Sequence, residues 1–243
     1  MERLAPELRS APLVFVDDLH APELRLDDLR HLRRSLRLGR GDPVCLADGA
    51  GGWRTAVLGA SGPGELGPLQ QADVRAPSVT VGLAIPKGTR LDVAVTKLTE
   101  LGVDRVVLLA AERSVVRWAP ADVGDRLERL GRVAREASMQ CRRLRLPEIA
   151  GVLSVEEIVA RCPGEVALAE PGGPAPSLSR PVVLVGPEGG WTDDELAAGD
   201  GRVGLGPTVL RVETAAIAAG VALCGQRAGW LPSVADPHGE SFH

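Results

Sequence analysis

A glycine-rich loop beside carboxylates is the feature of this sequence best suited to holding a small ligand. The run GPEGG, from Gly186 to Gly190, follows an apolar run that begins at Pro181 and precedes a helix start near Thr192. This order places the loop outside the carboxyl end of a sheet strand, where open α/β sheets bind ligands. Glycine lets backbone amides approach a ligand that a side chain would keep away. The pattern predicts a ligand loop, and a plain tight turn with a helix cap is the alternative.

The charges beside this loop restrict what it could bind. A helix start normally suits a phosphate, but Glu188, Asp193, Asp194 and Glu195 place negative charge there. Carboxylates repel a phosphate and attract a cation. We therefore expect a cationic or neutral ligand, and S-adenosylmethionine, with its sulfonium and ammonium groups, fits this field.

A second pair of charged residues lies further along the chain. Arg211 and Glu213 are two positions apart in the run GLGPTVLRVETAAIAAG, which starts at Gly204. An apolar strand ends at Leu205-Gly206 and a final helix is predicted from about Glu213, so the pair lies at the entry to that helix. The two side chains could flank a bound base, or they could brace each other as a structural ion pair.

Basic residues cluster in two places, although the formal net charge of the chain is −4. An acidic chain is a poor general binder of polyanions, so contacts with nucleic acid would have to come from local clusters. Seven arginines against two glutamates lie between Arg126 and Arg145, a plausible phosphate footprint. A second run contains His31, Arg33, Arg34 and Arg37. Arginines that are merely solvated, and a structural histidine, are the alternatives.

The sequence motifs of several common enzyme classes are absent from this chain. There is no GxGxxG after the first strand of the α/β region, no P-loop, no GxSxG and no HExxH, so hydride transfer, ATP hydrolysis and serine hydrolysis lose support. The four cysteines form no CxxC pair, so we expect reduced thiols and no metal. No apolar stretch approaches the length of a membrane span, and the N-terminus has no signal-peptide pattern, so we expect a soluble cytoplasmic protein.

The sequence pattern changes near Ala76-Pro77, where we place a domain boundary. Before this point, short strands from Leu13, Val44 and Trp53 and a turn-rich segment from Ala60 predict a small β-barrel or sandwich. A helix with Leu29, Leu32 and Leu36 at helical spacing and a stop at Gly39 interrupts these strands. Beyond the boundary, the apolar runs VTVGLAI, DRVVLLA, EVALAE, PVVLVG and RVGLG alternate with helical patterns. This alternation predicts an α/β domain with a mostly parallel sheet.

Three helices have recognisable starts in the second region. A helix from near Asp122 places Leu127, Leu130, Val133, Ala134 and Ala137 on its core face. Capping-box spacing marks further starts at Ser154 and Thr192.

Six ordered blocks give the chain a family resemblance. They are HLRRSLRLGRGD from His31, AIPKGTRLDVAVTKLTELGVDRVVLL from Ala84, AERSVVRW from Ala111, MQCRRLRLPEI from Met139, LVGPEGGWTDDE from Leu184 and LGPTVLRVETA from Leu205. On these blocks the sequence resembles the RsmE-type family of 16S ribosomal RNA uracil-N3 methyltransferases, in the SPOUT superfamily. Thr208 and Val212 depart from the family pattern, in which arginine and threonine are common at these positions.

The resemblance implies a fold and a reaction. Residues 1–76 would be a PUA-like β-barrel that helps bind RNA, and residues 77–243 a SPOUT methyltransferase domain with a trefoil knot and a homodimer interface. S-adenosylmethionine would methylate N3 of one uridine in 16S rRNA, presented on an assembled small ribosomal subunit. Another RNA site, or a non-catalytic RNA-binding assembly factor, are the alternatives.

The resemblance and the residue patterns together give the candidate site residues. Arg211, favouring the uracil anion or orienting the base, and Glu213, accepting the proton or anchoring Arg211, are the catalytic candidates. The cofactor-binding candidates are Leu168, Glu170, Leu184, Val185, Gly186, Pro187, Glu188, Gly189, Gly190, Leu205, Gly206, Leu210 and Thr214. The RNA-binding candidates are His31, Arg34, Arg37, Lys87, Arg90, Lys97, Arg113, Gln140, Arg142 and Arg143.

Overall fold

The computed structural model describes residues 5–234, which divide into two compact units. The N-terminal unit comprises the described residues up to Val74 together with Arg135–Leu146. The parallel-sheet unit comprises Arg75–Ala134 and the described residues from Pro147 onward. The segment Arg135–Leu146, which lies beyond the predicted domain boundary, therefore packs with the N-terminal residues.

The N-terminal unit is built on a mixed five-stranded sheet. Its strands are β1 (Leu13–Phe15), β2 (Pro43–Ala47), β3 (Gly52–Leu58), β4 (Pro63–Leu66) and β5 (Gln70–Gln71). β1 and β2 are parallel, whereas β3 pairs antiparallel with β2 on one side and with β4 and β5 on the other. The turn-rich segment from Ala60 thus forms β4, the second strand of a hairpin.

Two short helices accompany this sheet, α1 (Pro6–Ser10) and α2 (Leu26–Arg30), and α2 continues as a π-helix over His31–Ser35. Leu32 is buried as its spacing predicts, but Leu36 is 45% exposed. The predicted stop at Gly39 was wrong, because the helical segment ends at Ser35 and Arg37 takes a left-handed backbone with φ 57°.

The parallel-sheet unit has six parallel strands in the order β11-β9-β10-β6-β7-β8. The strands are β6 (Thr80–Ala84), β7 (Arg105–Leu109), β8 (Glu148–Leu153), β9 (Val166–Ala169), β10 (Val182–Val185) and β11 (Gly201–Val203). The five apolar runs correspond to five of these strands, which confirms that prediction, but β11 ends at Val203 and not at the predicted Leu205-Gly206. β8 was missed because its sequence EIAGVL contains a glycine and stays half-exposed, so it lacks the continuous apolar run of the other strands.

Helices cover both faces of the sheet. They are α3 (Arg90–Leu101), α4 (Val123–Cys141), α5 (Val155–Arg161), α6 (Asp193–Ala198) and α7 (Val212–Arg227). α3, α7 and the first part of α4 share one apolar core, and α5 packs in the other with Trp191. Successive residues of β10 alternate between the two cores, because strand side chains have a period of two. Both predicted capping boxes are present, at Ser154 and Thr192.

Since all six strands are parallel, their carboxyl ends share one edge, called here the carboxyl edge. The chain moves from β6 outward to β7 and β8, and then returns to place β9, β10 and β11 on the other side of β6. The order therefore reverses between β6 and β10, and open α/β sheets bind ligands at such a reversal. The GPEGG loop follows β10 at this point.

Helices α3 and α7 run in the same direction along one face. Arg90 at the start of α3 pairs with Glu213 in the first turn of α7, and Arg227 at the end of α7 donates to Gly102 just beyond α3. A Cβ on Gly220 would come within 2.9 Å of Leu98, so glycine permits the close contact. Both helices consequently begin at the carboxyl edge.

Neither a membrane span nor a metal cluster is found in residues 5–234. No helix in this range combines the length and apolar character needed to cross a membrane. No group of histidine, cysteine and acidic residues within it is arranged to hold a metal ion. Burial raises the pKa of Cys45 to about 11, which keeps that thiol protonated.

Candidate functional site

The GPEGG loop is shaped by two of its glycines. A Cβ on Gly186 would come within 2.8 Å of the Trp191 ring, so only glycine lets the end of β10 lie against that ring. Gly190 has φ +71°, a left-handed backbone that glycine adopts without strain, and its amide donates to the Pro187 carbonyl at 2.9 Å. The loop is a tight turn fixed by these contacts.

Trp191 is the residue of this loop that the sequence reasoning missed. Its side chain is buried with 5% exposure, and its Nε1 donates to the Ala169 carbonyl at 2.9 Å. Ala169 ends β9, so Trp191 ties the end of that neighbouring strand to the GPEGG loop. The sequence did contain a signal for this residue: large aromatic side chains are rare in the chain, which has only four tryptophans and two phenylalanines, and one of them directly follows the glycine loop.

One of the four carboxylates thought to create an acidic field is structural. Glu195 is 3% exposed, and its Oε2 accepts the Thr192 amide at 2.9 Å in the capping box. Its Oε1 accepts the Glu112 amide, also at 2.9 Å, from the loop after β7. Glu188, Asp193 and Asp194 are exposed and keep the surroundings acidic.

Arg113, an RNA-binding candidate, braces the same loop. Its guanidinium donates to the Trp191 carbonyl at 2.8 Å and to the Gly189 carbonyl at 3.3 Å. A Cβ on Gly189 would lie 3.2 Å from the Arg113 Cβ, so these residues pack closely. The guanidinium is thus engaged in holding the loop in this structure.

Several cofactor-binding candidates have side chains in the core. Leu168 and Leu184 are fully buried and Val185 is 3% exposed. Their side chains face the apolar cores, so a contact with a ligand would have to come from their backbone. Pro187 is buried as well, and Glu170 is half-buried.

The loops after β9 and β11 lie directly against each other. Gly204 donates to the Pro174 carbonyl at 2.7 Å, and Glu170 donates to the Val203 carbonyl at 2.9 Å. A Cβ on Gly173 would come within 2.6 Å of the Val203 backbone. The two loops therefore touch through their backbones at Gly173, and a residue with a side chain there would prevent this contact.

The segment Gly204–Arg211, called here the α7 loop, leads from β11 to α7. Leu205 and Leu210 are half-buried and pack against the core, whereas Gly206 is exposed, as is Thr214 just inside the helix. Val209 is 89% exposed. Of the two departures from the family pattern, Thr208 is exposed and Val212 is 3% exposed in the core, which accounts for an apolar residue there.

The catalytic candidates do not form the ion pair that one alternative foresaw. Arg211 is the exposed N-cap residue of α7 and makes no side-chain cap hydrogen bond. Glu213 instead pairs with Arg90, with Arg90 Nε 3.6 Å from Glu213 Oε1. The Glu213 side chain is only 14% exposed, and its Oε2 is buried without a hydrogen-bond partner. A buried carboxylate oxygen without a donor is costly unless a ligand supplies one.

The basic cluster between Arg126 and Arg145 is largely neutralised. Four of its seven arginines pair with carboxylates: Arg126 with Asp122, Arg129 with Asp92, Arg132 with Glu128, and Arg135 with Asp28. A hydrogen bond from Arg129 lowers the pKa of the Asp92 carboxyl below its ordinary value. Neighbouring carboxylates therefore neutralise four of the seven charges on which the predicted phosphate footprint was based, and the footprint itself stays a prediction.

The C-terminal end of the cluster differs. Arg145 donates to the Ala72 carbonyl at 2.8 Å and so holds the N-terminal unit together. Arg142 and Arg143 are half-buried, and Gln140 is exposed. Arg142 has φ 63° just beyond the end of α4, where glycine is the usual residue.

The other RNA-binding candidates are spread over both units. In the N-terminal unit His31, Arg34 and Arg37 are exposed. In the parallel-sheet unit Lys87 is exposed at the carboxyl edge, and Lys97 pairs with Glu100 at 2.7 Å.

The parallel-sheet unit also matches a known family. The RNA methyltransferase domain family matches residues 74–223, which include all six parallel strands, the GPEGG loop and most of α7. Two relatives named ribosomal RNA small subunit methyltransferase E are similar over most of the chain. The protein from Mycobacterium bovis is 36% identical, with 86% of this chain and 88% of the relative covered. The protein from Synechocystis is 34% identical, with 77% and 67% covered.

Two solved structures agree with this match. A probable rRNA-methyltransferase from Porphyromonas gingivalis is 27% identical with a TM-score of 0.77, covering 90% of this chain and 100% of that one. A ribosomal RNA small subunit methyltransferase E from Neisseria gonorrhoeae, bound to S-adenosyl methionine, is 26% identical with a TM-score of 0.72, covering 90% and 98%. The fold and the match thus define an RNA methyltransferase. More narrowly, the chain belongs to the family of ribosomal RNA small subunit methyltransferase E, which confirms the resemblance drawn from the six sequence blocks.

Proposed function

We propose that this chain transfers the methyl group of S-adenosylmethionine to N3 of one uridine in the 16S rRNA of the small ribosomal subunit. Family membership supports the coarser statement, an S-adenosylmethionine-dependent methyltransferase acting on small-subunit rRNA. The assignment to uridine N3 is supported by two charged residues at the entry to α7. Arg211 is exposed, and Glu213 has one carboxylate oxygen without a hydrogen-bond partner among the described residues.

The carboxyl edge suits the methyl donor. A Cβ on Gly190 would meet nothing within 4 Å, so there is open space beside the loop, and Leu205 and Leu210 offer half-buried apolar surface. Glu188 is exposed, so its charge can attract a cationic ligand. We assign the cofactor to the loops after β9, β10 and β11, with the backbone of Gly186–Gly190, Gly206 and Thr214 as contacts. When bound, S-adenosylmethionine would supply an electrophilic methyl group.

The protein's own residues must handle the uracil proton. N3 becomes a good nucleophile only when it loses its hydrogen, so a group that favours the anion lowers the barrier. Arg211 is exposed and positively charged, and we assign it to the uracil oxygens, where it would orient the base and stabilise the developing charge. Glu213 Oε2 is an acceptor without a donor, and we assign it to the N3 hydrogen. Holding the base in line with the methyl group would supply much of the rate.

RNA binding is assigned to both units. We propose residues 1–76 as a PUA-like β-barrel, supported by the mixed five-stranded sheet, and residues 77–243 as a SPOUT methyltransferase domain. We include in this proposal the trefoil knot that the resemblance to the SPOUT superfamily implies. His31, Arg34, Arg37 and Lys87 are exposed and suit phosphate contacts. We further propose a homodimer that acts in the cytoplasm on an assembled small subunit.

Mass spectrometry of 16S rRNA from cells with and without the gene tests this proposal. We expect one uridine to lose a base methyl group in the deletion strain and to regain it when the gene is restored. A ribose methyl group or another base nitrogen in its place would contradict the N3 assignment. If no nucleotide changes, and calorimetry shows no binding of S-adenosylmethionine, the chain is an RNA-binding assembly factor instead.

A further inference from the structure

Arg90 is an unusual residue for the place it occupies. It is the first residue of α3, the positive end of the helix dipole, where a cation is disfavoured. Glu213 lies in the first turn of α7, where a carboxylate is favoured. Since α3 and α7 run in the same direction from the carboxyl edge, the arginine is kept at an unfavourable position by a carboxylate from the neighbouring helix.

The contact between these side chains involves only part of each. Arg90 Nε lies 3.6 Å from Glu213 Oε1, and the exposed fractions of the side chains are 40% and 14%. Glu213 Oε2 receives no hydrogen bond from the described residues. Arg90 thus fixes the carboxylate through one oxygen and leaves the second oxygen for a donor from outside the chain.

We infer that Arg90 is a positioning residue for methyl transfer: it holds Glu213 so that Oε2 can accept the hydrogen on uracil N3. This inference rests on the proposed function. It replaces the earlier assignment of Arg90 to RNA phosphates, because its guanidinium is directed to Glu213 at the carboxyl edge. Arg90 acts on the base through Glu213 and does not itself touch RNA.

The two roles of Arg90 predict different measurements. A phosphate contact contributes to RNA affinity and to its salt dependence, and losing it reduces the salt slope by about one. A positioning residue affects the rate, because a small displacement of a reacting group costs about 10- to 100-fold. Steady-state kinetics on small subunits isolated from the deletion strain, together with RNA binding at several salt concentrations, separate these effects.

We expect Arg90→Gln to lower kcat about 10- to 100-fold, with KM for the subunit and the salt slope unchanged. Arg90→Lys should recover part of the rate, because a lysine can still pair with Glu213. Combining Arg90→Gln with Glu213→Gln should give the rate of Glu213→Gln alone, since Arg90 acts only through that carboxylate. Arg161→Gln, the same substitution at an exposed arginine of α5, should leave all of these quantities unchanged.

Three results would overturn the inference. The first is a raised KM with a smaller salt slope and an unchanged kcat, which would make Arg90 a phosphate contact. The second is a double variant whose loss equals the product of the two single losses. A loss of thermal stability in Arg90→Gln but not in Arg90→Lys, with normal kcat in both, would show a structural pair only. Failure of the proposed function is distinct, since the unsubstituted protein would then leave N3 unmethylated.

Discussion

The two loops that enter helices at the carboxyl edge, GPEGG after β10 and the α7 loop after β11, are built in opposite ways. The polar groups around GPEGG are satisfied within the protein: Glu195 accepts two backbone amides, Arg113 donates to two carbonyls, and Trp191 donates to a third. The α7 loop has an exposed Val209 and ends in an N-cap without a side-chain hydrogen bond, and Glu213, in the first turn of the helix that follows, has an acceptor without a donor among the described residues.

This difference suits the two loops to different roles in binding and catalysis. A loop whose polar groups are already paired is rigid, and it can hold a ligand in one position without being rearranged. A loop with exposed charge and an unpaired acceptor has interactions left to make with a substrate. We therefore expect substitutions around GPEGG to change stability and cofactor binding, and substitutions of the charged residues at the entry to α7 to change the rate.

The largest expected effect is at Trp191. Replacing this buried ring with alanine should destabilise the protein by about 3–5 kcal/mol, because a large side chain leaves a cavity. Cofactor affinity should fall as well, because Trp191 joins the GPEGG loop to the end of β9. Urea unfolding followed by circular dichroism measures the first effect, and calorimetry measures the second.

A matched variant divides that loss between packing and hydrogen bonding. Trp191→Phe keeps an aromatic ring but loses the five-membered ring that carries the donor to Ala169, so it should cost less than the alanine variant, about 1–3 kcal/mol. A loss below about 1 kcal/mol for Trp191→Ala would show that the loop does not depend on this residue, and the contrast between the loops would disappear.

Arg211→Ala should have the next largest effect, on the rate alone. We expect kcat to fall by about 100-fold or more, because the side chain would stabilise charge that develops on the uracil. Cofactor affinity and stability should stay near those of the unsubstituted protein, since the Arg211 side chain is exposed and caps nothing. Unchanged turnover in single-turnover assays would remove Arg211 from the reaction.

Glu195→Ala should destabilise the protein without a direct effect on chemistry. Two amides, of Glu112 and Thr192, would lose their acceptor in a buried setting, at a cost of about 1–3 kcal/mol. The second capping box supplies the control, because Glu157 is exposed and, among the described residues, accepts only the Ser154 amide. Glu157→Ala should cost less, about 1 kcal/mol. Equal losses in thermal unfolding would show that the link to Glu112 contributes nothing.

These comparisons also show which features a sequence can reveal. The five apolar runs, the two capping boxes and the final helix were predictable because each depends on residues close together in the chain. The loops could be placed at one edge because parallel strands end together. The GPEGG glycines were recognisable for the same reason, as the strand end and the helix cap lie within ten residues of each other.

The electrostatics of the chain were not predictable in this way. Arg135 pairs with Asp28 from 107 positions away, and Arg129 pairs with Asp92 from 37 positions away. A count of charges along α4 therefore overestimated its positive surface. Glu213 looked like a partner for Arg211 two positions away, but packing of α3 beside α7 brought Arg90 to it instead. Tertiary pairing decides which charges remain available to a ligand.

The smallest effect is expected at Val209. Its substitution tests whether a bound ligand covers the exposed part of the α7 loop. Val209 is 89% exposed, so Val209→Ser should change stability by less than about 0.5 kcal/mol. A large exposed apolar side chain gains free energy only if something covers it, at about 25 cal/mol per Å². If RNA or the cofactor covers Val209, the serine variant should raise KM for that ligand a few-fold with kcat unchanged. If neither KM changes, the Val209 side chain stays uncovered in the complex.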